Sequence, residues 1–157
     1  MPRRLRVVRG NGSGGPPRWM RVVLYAAAAD NLVWGAFIVL LPHALFRWAG
    51  IPTPNYPGLW QCVGMMVGVL GVGYWAAARD PLTHWPVVLV GLLAETFGSL
   101  GVASAALRGE LPWAFGLPVV ACAVVWWLPF AVILLRAYRR RATLLRPADD
   151  RRSLRRA

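Results

Sequence analysis

Apolar residues in this chain come in four long blocks rather than in alternating runs, and short polar stretches separate them. The blocks cover residues 22–41, 59–78, 85–107 and 111–135. A helix crossing a bilayer core needs about 20 apolar residues, and each block has that length. Lipid-exposed backbone must satisfy its own hydrogen bonds, and no block shows the period-two alternation of a barrel strand. The pattern predicts an all-α fold, an integral-membrane four-helix bundle over residues 19–138. Residues 1–18 and 139–157 form polar, basic tails around it. The "GNGSGGPP" of residues 10–17 lacks the apolar content of a packed element and is expected to be disordered.

The separators have their own signals. "RDPLTH", residues 79–84, is a tight turn in which Pro81 stops a helix, and "RGE", residues 108–110, followed by Pro112, is equally short. Spans two, three and four should therefore be antiparallel sequential neighbours. The long connection, residues 42–58, contains "HALFRWAG", a short interfacial helix by pattern, and then the Pro-rich "IPTPNYPG". Within span two, Gln61, Gly64, Gly68, Gly71 and Trp75 recur at spacings of three and four. That glycine-rich face lets another backbone approach closely. Ala94, Gly98, Gly101 and Ala105 form a comparable stripe on span three. Both are expected to serve helix packing, within the bundle or in a homo-oligomer.

Composition agrees: 57% of the 157 residues are hydrophobic, nine of them Trp. Charge adds direction. All 18 basic residues are Arg, as a GC-rich bacterial genome would favour. The net charge of +12 could suggest nucleic acid, but that needs a basic face on a folded domain. Here sixteen arginines lie before span one, between spans two and three, or after span four; Arg47 and Arg108 fall in the other two connections. This positive-inside bias predicts both termini on the cytoplasmic side of a bacterial inner membrane, with the Arg-rich tails against anionic lipid headgroups. Trp19, Trp75 and Trp85 are expected at the inner interface, and Trp48, Trp60 and Trp113 at the outer one. The apolar run of the first span is too long for a cleaved signal, so a retained helix is expected, with Met20 an alternative start.

Two spans carry an acid. Asp30 lies ~12 Å and Glu95 ~15 Å beyond the inner ends of their spans at 1.5 Å per residue, so the two reach similar depth from the same side. An acid near a span centre costs roughly 2.5–3.5 kcal/mol, and such residues usually point inward to partners. No Arg or His lies within a span, so the pair is expected to hold at least one proton between them. Asn31, Thr96 and Trp34 are candidate neighbours, Trp34 being one turn beyond Asp30 on the same face. Two uses compete: a helix cross-link, or a working site for a proton or small solute.

Other chemistry is disfavoured. His43 and His84 sit at opposite membrane faces, Cys62 and Cys122 in different spans, and no metal-ligand spacing, hydrolase motif or P-loop occurs. No metal or cofactor is expected. The "WW" of Trp126 and Trp127 before Pro129 reads as bulky packing beside a proline.

From Asn31 to Phe130 the order of features resembles small four-span bacterial membrane proteins of the DoxX-like kind. The resemblance rests on "NLVWGAFIVLLPHALFRWAGIPTPNYPGLWQ", "GVGYWAAARDPLTHWPVVLVGLL", and "LPW" with the later "WWLPF". It implies a four-span bundle. Some proteins of that kind are tied to quinone-linked sulfur oxidation; this chain has no redox motif to which that activity could be transferred. The expected function is a non-enzymatic structural or accessory subunit of a membrane assembly. The alternative is a proton-linked carrier of a small solute, or an acid–base enzyme on a lipid-soluble substrate, using Asp30 and Glu95.

Overall fold

The computed structural model describes residues 15–145, with side chains to Thr143; the expected basic tails therefore lie largely outside the described residues. Five helices follow in order: α1 (Arg18–Leu40), α2 (Ala44–Trp48), α3 (Pro57–Ala77), α4 (Trp85–Leu107) and α5 (Trp113–Leu145). Four of them are long and apolar enough to cross a membrane, and α2 is the short helix expected in the long connection. Every predicted span is present. The fourth span ends near 135, and the expected extension of its helix by a turn or two into the basic segment runs somewhat further, to Leu145, because Ala137, the Arg139–Arg141 run and Ala142 are good helix formers. Pro118 and Pro129 lie inside α5, each removing one backbone donor.

Local chemistry sets the ends. At α2, Gly50 (φ 66°) follows the last turn; its N–H reaches the Arg47 carbonyl and the Ile51 N–H reaches that of Phe46. Gly109 (φ 73°) repeats this after α4, with bonds to Ala106 and, from Glu110, to Ala105. Both are left-handed glycine stops that satisfy carbonyls otherwise left over at a helix end. Between α3 and α4, Asp80 organises the turn: its carboxylate accepts from the Thr83 hydroxyl (2.7 Å) and, more weakly, from the Thr83 N–H (3.3 Å).

Packing is uneven. At the arginine-rich end all four long helices meet around Met20, Leu24, Ala27 and Ala28 of α1, Tyr74 and Ala77 of α3, Val88 of α4, and Phe130 and Ile133 of α5. Toward the other end the helices pack as two pairs, α1 with α3 and α4 with α5. The α1–α3 seam is backbone on backbone. A Cβ at Gly35 would fall 2.7 Å from the Gly64 carbonyl oxygen and 2.8 Å from the Gly68 nitrogen; one at Gly71 would fall 3.0 Å from the Ala28 carbonyl oxygen. Gln61 extends the seam, its Nε2 donating to the Val39 carbonyl at 2.9 Å. Helices α3 and α4, though joined by the short turn, touch more thinly, chiefly where Tyr74 packs against Gly91. Their sequential order therefore fixes one end of the contact and not its length. At the far end Phe46 of α2 packs on Trp60 of α3 and Phe115 of α5, tying the two pairs together.

Candidate functional site

Each long helix turns one polar side chain toward the others, with Tyr74 of α3 nearest the arginine-rich end. On α1, Asp30 is half-buried; its Oδ2 accepts a hydrogen bond from Nε1 of Trp126 on α5 at 3.3 Å. This bond is long for its type but links the two helix pairs. One turn further along α1, Trp34 comes near Cys122, one turn back on α5. Antiparallel helices produce this crossed register when residues four apart on one face each meet a partner four apart on the other.

Helix α4 contributes Glu95, half-buried, on the same side of the bundle as Asp30. Among the described residues its carboxylate accepts no hydrogen bond. Helix α3 contributes Tyr74, fully buried, whose ring packs edge-on to Phe130 and whose hydroxyl has no partner among the described residues. The hydroxyl lies where a Cβ of Gly91 would be, one turn before Glu95, so the absence of a side chain at Gly91 makes room for it.

The other expected site residues separate into two groups. Asn31 is buried, but its amide donates to the Ala27 carbonyl of its own helix (3.0 Å). Thr96 similarly donates to the Leu92 carbonyl (2.7 Å), and Ser99 to the backbone carbonyl of Glu95 (2.7 Å). These satisfy local backbone and do not join the acids. Gln61, Gly64, Gly68 and Gly71 lie in the α1–α3 seam. Gly98 and Gly101 on α4 have nothing within 4 Å of a Cβ, so those two positions meet no other described residue. A groove of about 660 Å³ opens at the far end between Phe46, Pro52, Leu107 and Trp113, and neither acid lines it. Among the described residues no group of three His, Cys, Asp or Glu side chains is placed to hold a metal ion.

Trp126, Tyr74, Gly35 and Gly91 are absent from the sequence-based set. Trp126 carried a signal: a buried acid needs a donor, and an indole is among the few N–H donors in these spans. Gly35 is a single glycine with no period to mark it.

The four long apolar helices, packed together, define a small multi-pass membrane protein. Compared with protein-family models, curated proteins and solved structures, the chain matches none.

Proposed function

We propose that the protein is a non-enzymatic accessory subunit of a bacterial inner-membrane assembly, DoxX-like in architecture, with both termini cytoplasmic. The observation that carries this reading is the unequal use of the two small-residue stripes. On α3, Gly64 and Gly71 pack inside the chain against Gly35, Ala28 and Ile38, whereas Gly98 and Gly101 on α4 have no described neighbour at a Cβ position. Glycine inside a helix costs about 1 kcal/mol relative to alanine, so two open glycines on one face need a use, and close approach of another helix is one. The polar groups fit a structural role as well: Asp30 ties α5 to α1, and Asn31, Thr96 and Ser99 satisfy their own helices.

The test is extraction of the tagged full chain from its own membrane in a mild detergent. Wild type should travel with a larger assembly, either a complex or its own oligomer, and Gly98→Leu/Gly101→Leu should release it. A wild-type chain that runs as a monomer refutes the reading.

A second reading, a proton-linked carrier or an intramembrane acid–base enzyme, is favoured by Glu95 and the Tyr74 hydroxyl, two polar groups one helical turn apart along the bundle and without hydrogen-bond partners among the described residues. Proteoliposomes loaded with a pH-sensitive dye separate it from the first. Proton movement lost in both Asp30→Asn and Glu95→Gln supports the carrier; no movement in wild type removes it.

A further inference from the structure

We infer that the arginine-rich end of the bundle is a structured binding site for an anionic glycerophospholipid, built on α5 and clamped by two indoles, rather than a diffuse positive tail. The inference rests on the chain being a membrane protein and does not depend on what the acids or the α4 stripe do.

Seven arginines of the described residues gather at that end: Arg18 and Arg21 on α1, Arg79 after α3, and Arg136, Arg139, Arg140 and Arg141 on α5. All are exposed, and the acid among them is Asp80. Asp80 already accepts two hydrogen bonds from Thr83, and no salt bridge forms between it and any of the seven. Among the described residues this end is therefore strongly net positive.

Two of the guanidinium groups are held in place. Arg136 lies over the Trp19 ring with 5.2 Å from Cζ to centroid, and Arg141 lies over the Trp85 ring at 5.0 Å. Both distances are inside the ~6 Å range of a cation–π contact. Trp19 and Trp85 open α1 and α4, directly before the apolar runs, so the clamped charges stand at the edge of the hydrocarbon, where a lipid carries its phosphate. Next to Arg136 on the membrane side is Leu135, 57% exposed, a surface for an acyl chain. Arg21 lies at the same end, its Nε donating to the Ala78 carbonyl at 3.3 Å. A guanidinium presents a planar fork of donors that matches a phosphate better than a mobile ammonium does. Holding that fork on an indole before the lipid arrives removes part of the ordering cost of binding.

The assay is native mass spectrometry of the purified full chain in a non-ionic detergent. It is titrated with phosphatidylglycerol, with phosphatidylcholine of the same acyl chains, or with inorganic phosphate alone. Wild type should retain phosphatidylglycerol at least tenfold better than phosphatidylcholine, and inorganic phosphate should compete weakly. An arginine near the surface is worth roughly fivefold in lipid affinity, so Arg136→Gln/Arg141→Gln should weaken retention on the order of 25-fold. Arg47→Gln/Arg108→Gln, at the opposite end, should leave it unchanged. Trp19→Leu/Trp85→Leu keeps every charge and removes the clamps, and should reduce retention several-fold. Equal retention of the two lipids overturns the inference, as does full competition by inorganic phosphate. Unchanged retention in the tryptophan variant also overturns it, because charge alone would then suffice. The tryptophan variant keeps the inference testable if the arginine variant fails to fold, with circular dichroism as the check. A chain soluble without detergent would instead remove the membrane reading beneath it.

Discussion

Replacing Gly35 by alanine would place a methyl group in the seam between α1 and α3, where the neighbours are backbone atoms that cannot rotate away. The new carbon would lie 2.7 Å from the Gly64 oxygen, 2.8 Å from the Gly68 nitrogen and 2.9 Å from the Gly68 Cα. Ordinary contact begins at 3.4 Å, so the seam must open by about 0.7 Å at its tightest point. A gap of that size forfeits about a quarter to a half of the dispersion energy of the atoms facing it. Overpacking of this kind typically costs about 1–3 kcal/mol. Alanine returns about 1 kcal/mol of helix propensity, leaving a net loss of up to about 2 kcal/mol. Gly68→Ala is the internal control, because its Cβ would meet nothing within 4 Å; it should be neutral or gain up to about 1 kcal/mol from propensity alone. Reversible unfolding in mixed micelles, followed by far-ultraviolet circular dichroism, reads both. If Gly35→Ala is no less stable than Gly68→Ala, then backbone contact is not what holds α1 to α3.

Three further outcomes can be checked on the same preparations. Trp126→Phe removes the donor to Asp30 and should cost about 0.6–1.7 kcal/mol, with a smaller loss when Asp30→Asn is already present, as a double-mutant cycle would show. Gly91→Ala should destabilise the bundle by driving a methyl into the Tyr74 hydroxyl, and Tyr74→Phe should relieve part of that loss in the double variant; a fully additive pair would contradict the placement. The Thr83 hydroxyl holds the Asp80 carboxyl below the ordinary aspartate range. Ionised Asp80 therefore stabilises the turn at any pH above that range, and the contribution fades as pH falls through the lowered value. Acid unfolding of Asp80→Asn should lack this component, whereas identical acid profiles would refute it.

Much of the architecture was legible because lipid imposes a simple rule: a long apolar run must be a helix, and its length fixes its extent. The helix over "ALFRW" and the Asp80 turn could be read for similar reasons, from short-range chemistry. Depth along the bundle could be read too, since 1.5 Å per residue puts Asp30 and Glu95 at a similar level of their helices. Rotation about each helix axis was not. Trp34 shares a face with Asp30, yet the donor to Asp30 is Trp126, because which side chains meet across a bundle depends on how the helices turn against each other. The pairing of α1 with α3 depended on Gly35, an isolated residue with no periodic signal. The Tyr74 contact likewise needed Gly91, whose importance lies in an absent side chain.

The separation into two helix pairs bears on how the chain is built. α1 finds its main partner in α3, which emerges next from the ribosome as a long segment, and α4 finds its own in α5. Each half can thus leave the insertion machinery as a finished hairpin, its closest contacts already made. The junction at Met20, Tyr74, Val88 and Phe130 is then a late docking step between two preassembled pieces. Breaking the chain in the turn after Asp80 and producing both fragments in one cell should therefore still yield a reunited protein.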